Sequence, residues 1–186
     1  EWTGTPVAVT YLPFFLDPTM PAEGVDFREH LSQKFQGVPI DAMFDRVSQA
    51  GQSAGLEFRW DLVGKSPNTT LAHQLILIAP DDKRGELSTA IYDAYFLQGK
   101  DITDLETLVA LAGASGLDRD SIRQRLSSGE GATEVQEIAR QVSQQGVTGV
   151  PFFIFDNRVA LNGAQPPTAI LEAIRQASEP ALTSAD

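Results

Sequence analysis

Residues 146–167 read "GVTGVPFFIFDNRVALNGAQPP", and this stretch decides the fold. "PFFIF" (151–155) is a short continuous apolar run, "DN" (156–157) is a turn in which Asn157 tolerates positive φ, and "RVALNG" (158–163) returns as a second arm. Together they predict a β-hairpin. Pro166 and Pro167 then open a helix whose Ile170, Leu171 and Ile174 face inward. Pro151 heads the first strand, where a missing N–H removes no needed ladder bond. A sharper expectation is that Val150–Pro151 is a cis peptide at a fixed turn. Such a turn leaves the Val150 N–H and C=O as an edge on which another extended peptide can pair.

Upstream of the hairpin the pattern is almost wholly helical. Asp26 with Glu29 forms a capping box before Leu31 and Phe35, and Pro39 opens a second helix on Met43, Val47 and Ala50. After the extended "FRWDLVGKSP", Asn68 caps a helix through Leu71, Leu75 and Ile78 that stops at Pro80. Leu87, Ile91, Ala94 and Tyr95 repeat at helical spacing as far as Gly99. Thr103 with Glu106 starts another helix, Asp118 caps the next, and Thr133 with Gln136 starts the last before Gly146. At the other end, "TPVAVTYLPFFL" (5–16) is β-branched and aromatic and predicts a strand ending near Pro13.

Composition excludes several function classes. The chain has 186 residues, 42% hydrophobic, with no apolar stretch near the ~20 residues of a membrane-spanning helix. Its 14 basic and 25 acidic residues give a net charge of −11, so nucleic acid and anionic membranes are poor partners. The absence of cysteine removes disulfides, thiol nucleophiles and zinc–thiolate sites, and suits a reducing, cytoplasmic setting. "GQSAG" (51–55) matches a nucleophile elbow but ends a helix, and "GKS" (64–66) has Arg59 where a phosphate loop needs glycine. "NTT" (68–70) is formally a glycosylation acceptor but reads as a helix cap, and His30 and His73 lack the partners of a metal site.

Four segments in order, "LPFFLDPTMPAEGVDFREHLSQKFQG", "SPNTTLAHQL", "AYFLQGKDITD" and the opening stretch, make the chain resemble the DsbA family of thioredoxin-fold oxidoreductases, in particular its FrnE-like branch. The resemblance implies an α/β thioredoxin-like fold with a large all-helical insertion. In this chain residues 1–25 and 131–180 would form the incomplete thioredoxin-like domain, 26–130 the insertion, and 181–186 a flexible tail. It also implies that Thr148, Gly149, Val150, Pro151 and Phe152 dock substrate, with Asn68 and His73 on the helical face and Phe14 near the end of the first strand.

The family's C-x-x-C pair, with its strand and helix, has no counterpart in these residues. Thiol exchange needs a thiolate, so this chain alone cannot perform it. We expect a strand and helix carrying C-x-x-C upstream of Glu1, because without that strand the two thioredoxin-like strands lack a common neighbour; a second copy of the chain is the other way to complete the sheet. The leading function is therefore protein disulfide oxidoreductase or isomerase activity of the complete protein. A related alternative resembles the kappa-class glutathione transferases and hydroxychromene-carboxylate isomerases, which use a serine in place of the redox pair. A third is a non-catalytic peptide- or thiol-binding module. The partners implied are a thiol- or disulfide-containing peptide or protein, or glutathione as substrate or co-substrate, with no resident cofactor or metal.

Overall fold

The computed structural model describes residues 2–4 and 6–179, so the tail expected at 181–186 lies outside the described residues. The chain order is β1 (Val25–Asp26), α1 (Phe27–Lys34), α2 (Ile40–Ser53), β2 (Lys65–Ser66), α3 (Thr70–Ile78), α4 (Asp81–Phe96), α5 (Leu105–Ala114), α6 (Arg119–Ser127), α7 (Ala132–Gln144), β3 (Phe152–Phe155), β4 (Val159–Asn162) and α8 (Pro167–Ser178). The described residues are mostly helical with two small antiparallel sheets, β1 with β2 and β3 with β4. Contacts divide the chain into two compact units, one made of 17–138 and the other of 1–16 with 139–186. No helix among the described residues is long and apolar enough to cross a membrane.

In the helical unit, side-chain oxygens start the helices where backbone N–H groups would otherwise go unpaired. Asp26 accepts from the Glu29 N–H at 2.8 Å and Asp118 from the Ser121 N–H at 2.7 Å. For α5 the cap is Asp104, which accepts from the Thr107 N–H at 2.8 Å, rather than the expected Thr103. Thr103 is already held, its N–H and hydroxyl both donating to Asp101. Thr133 also fails as a cap, since α7 begins at Ala132 and Thr133 lies inside it.

The centre of this unit is aliphatic, with Leu75, Leu87, Leu108 and Val109 fully buried. Beside it stands an aromatic stack that helical spacing alone did not identify. Phe44 lies 4.8 Å from Trp60 and 5.6 Å from Phe27, ring centre to ring centre, and the Trp60 indole N–H donates to Ser48 Oγ at 2.9 Å. This stack turns α2 so that Phe44 and Gly51 are buried, whereas the expected Val47 and Ala50 are exposed. Phe35, expected inward on α1, is also exposed. Gly99, at φ +64°, closes the turn after α4 where a Cβ would meet the backbone of Leu62, and only glycine satisfies both conditions.

The other unit is built around the hairpin. Phe152 pairs with Asn162 and Phe155 with Val159, and the Arg158 N–H donates to the Phe155 carbonyl at 3.0 Å across a turn with Asp156 and Asn157 both at positive φ. Helix α8 packs on both strands and places Ala173 and Ala177 deepest, with Ile170, Leu171 and Ile174 half-buried around them. The expected strand at 5–13 is overturned. Residues 6–12 belong to no strand and are exposed; Thr5 is not among the described residues. The sequence there has the residue types of a strand, but a strand exists only through a ladder with a neighbour, and the described residues supply none.

Candidate functional site

The loop at 148–152, expected to dock substrate, is positioned from both sides. Helix α7 ends at Gln144, Gly146 turns the chain at φ +91°, and Val147 is buried as an anchor. Thr148 and Val150 then stand exposed with Gly149 half-buried between them. The Val150–Pro151 bond is cis. Beyond it, the Pro151 carbonyl accepts from the Gly163 N–H at 2.8 Å, which ties the loop to the far end of the hairpin. Gly163 sits at φ +80°, a conformation other residues adopt only at a cost.

Val150 itself is 51% exposed, and among the described residues neither its N–H nor its C=O takes part in a hydrogen bond. An exposed residue whose backbone donor and acceptor are both unengaged is a place for a peptide backbone to pair. The segment from Thr148 to Phe152 contains no acid, base or thiol. By itself it can hold a substrate but cannot activate one.

The remaining site residues fall in different places. Phe14 is half-buried next to buried Pro13, in the same unit as the loop but on irregular backbone rather than on the expected strand. Asn68 and His73 belong to the helical unit. His73 is half-buried in the first turn of α3. Asn68 has both ends of its amide engaged, Nδ2 donating to the Met20 carbonyl at 2.7 Å and Oδ1 accepting from the Thr70 N–H at 2.9 Å. The N-cap of α3 is Thr69, without a side-chain cap bond, rather than the expected Asn68, which instead holds the turn just before the helix and pins the 17–24 loop. Met20 went unnoticed in the sequence, where nothing links it to a residue 48 positions away.

Residues 2–175 match the DsbA-like thioredoxin domain. The chain belongs to that family. It is similar to the uncharacterized protein YwbO of Bacillus subtilis (strain 168), with 26% identity over 162 residues that span 84% of this chain and 76% of YwbO. It is also similar to the crystal structure of a probable DsbA oxidoreductase, SCO1869 from Streptomyces coelicolor. That match has a TM-score of 0.78 and 28% identity, and covers 92% of this chain and 76% of the other. The DsbA-like assignment agrees with the resemblance read from the four sequence segments. The chain has no cysteine.

Proposed function

We propose that this chain forms the substrate-docking part of a DsbA-like, FrnE-like protein disulfide oxidoreductase. The observation that carries the reading is the exposed, unengaged backbone of Val150, held in place through the Pro151 carbonyl and Gly163. A substrate segment next to a disulfide would lie extended along Thr148–Phe152, accepting from the Val150 N–H and donating to its C=O. Phe14 would add apolar contact. Asn68, with its amide committed internally, would act by shaping the start of α3 around His73.

The chemistry then follows from thiol exchange. A thiolate attacks one substrate sulfur, a mixed disulfide forms as the other sulfur leaves with the electron pair, and a second thiol resolves it. Because these 186 residues contain no cysteine, both thiols have to come from outside them. Docking, in contrast, can be measured on the chain as it stands. In titration calorimetry, a short peptide containing an intramolecular disulfide should bind saturably. Val150→Pro, which removes the N–H donor from an exposed position, should weaken that binding by about tenfold or more, as loss of a hydrogen bond at a docking edge would. Absence of saturable binding, or equal binding by a variant with unchanged circular dichroism, would overturn the proposal. Preferential binding of glutathione disulfide would move the substrate class toward the glutathione-dependent relatives.

A further inference from the structure

The turn between α6 and α7 is held by more side chains than its length requires. Gly129 and Gly131 lie at φ +75° and +79°, and a Cβ on Gly131 would stand 3.2 Å from Leu77 and 3.4 Å from Ile78 at the end of α3. The turn therefore rests directly on that end. Arg125 reaches across from α6 and grips Glu130 with two bonds of 2.9 and 2.7 Å, while its third nitrogen donates to the Ile78 carbonyl at 3.1 Å. From α3, buried Gln74 donates its amide to the Glu130 carbonyl at 3.1 Å. Arg84 supplies the Leu77 and Ala79 carbonyls on either side.

Two kinds of bond thus converge on one residue. The Glu130 carboxylate is held by a surface ion pair, with Arg125 and Glu130 side chains 36% and 47% exposed and open to screening by salt. Its carbonyl is held by a buried amide that salt does not reach. The amides of Ala132 and Val135, the first of α7, in turn donate to Gly129 and Gly131. The start of α7 is therefore held by the turn and by Val135, whose side chain is fully buried.

We infer that Arg125, Glu130 and Gln74 form a latch on the 128–131 turn, whose opening frees the first turns of α7 while α3 to α6 stay folded. Opening is local because the fully buried Leu75, Leu87, Leu108 and Val109 lie outside the turn and keep their packing. Helix α7 crosses the boundary between the two compact units at 138–139. The ion pair makes the device responsive to ionic strength, and the buried amide makes it reclose in one register.

Hydrogen exchange followed by mass spectrometry on the full chain tests this. Glu130→Gln should accelerate exchange in 132–138 by about three- to tenfold while 105–127 stays within about twofold of wild type. Gln74→Leu, which keeps the buried volume but removes the donor, should do the same. Raising salt from about 0.05 M to about 1 M should reproduce the effect on wild type and on Gln74→Leu, but not on Glu130→Gln. Unchanged exchange in 132–138 in both variants overturns the latch. So does acceleration of 105–127 by the same factor, which would mark general destabilisation.

Discussion

The two units of this chain are built to different depths. In 17–138 the core is made of large side chains: leucines on three successive helices lose all contact with solvent, and an aromatic stack of Phe27, Phe44 and Trp60 closes one side. Among the described residues of 1–16 and 139–179 the buried hydrophobic positions are small, namely Ala139, Val147, Ala173 and Ala177, while Val9, Leu12 and Leu16 are more than half exposed. Hydrophobic stabilisation scales with apolar area removed from water, so the helical unit carries most of it. The loop proposed to dock substrate sits in the unit that has less. A loop that must accept a partner backbone has to keep its own polar groups solvated, and burying them would leave nothing to bind with.

Substitutions can break or sharpen that contrast. The largest effect is expected from Leu108→Ala, which empties a fully buried site on α5. It should lower unfolding free energy by about 3–4 kcal/mol in urea titration, whereas Ile154→Ser on the 43% exposed face of β3 should cost less than about 0.5 kcal/mol. Equal losses would show that the hairpin is as tightly built as the helical core. Next comes Gly99→Ala, which sets a Cβ against Leu62 at positive φ; about 2–3 kcal/mol should be lost, read as a fall in Tm.

The smallest effect concerns pH. Burial pushes the Asp101 carboxyl upward, but hydrogen bonds from Lys65 and Thr103 outweigh it and hold the group below its ordinary 3.8. A lowered native value means the stabilisation is present above 3.8 and is lost as pH falls through the native value. The pair is more than a third exposed at both side chains, so solvent screens it and the contribution is small. Between about pH 5 and pH 3, Asp101→Asn should reduce the fall in Tm by no more than about 3 °C, measured by calorimetry. A larger difference would give the polar rim of the helical unit a weight comparable to its core.

How much of this was legible in the sequence depends on the range of the interaction. Caps at Asp26 and Asp118 act over three residues and were readable, as were the stops at Pro80 and Gly146 and the hairpin turn at 156–157. Thr103 and Asp104 were adjacent candidates, and the choice between them rests on Asp101 already holding Thr103. The buried face of α2 was misread because Trp60, which fixes it, lies beyond the helix and signals nothing by spacing. The segment at 6–12 shows the limit most clearly, since side chains fit for a strand do not make one without a partner. For the site, Pro151 marked the cis bond of the loop proposed to dock substrate, but the Asn68 bond to Met20 joins two loops with no shared pattern.

Of the chain's two tryptophans, Trp2 lies in one unit and Trp60 in the other. Trp60, stacked on Phe44 with its indole N–H bonded to Ser48, occupies a half-buried environment that unfolding of the helical unit would replace with water. With Trp2 exchanged for phenylalanine, intrinsic emission becomes a reporter of that unit alone. Its wavelength can then be followed while a disulfide-containing peptide is added, separating folding of that unit from the docking proposed for the other in a single cuvette.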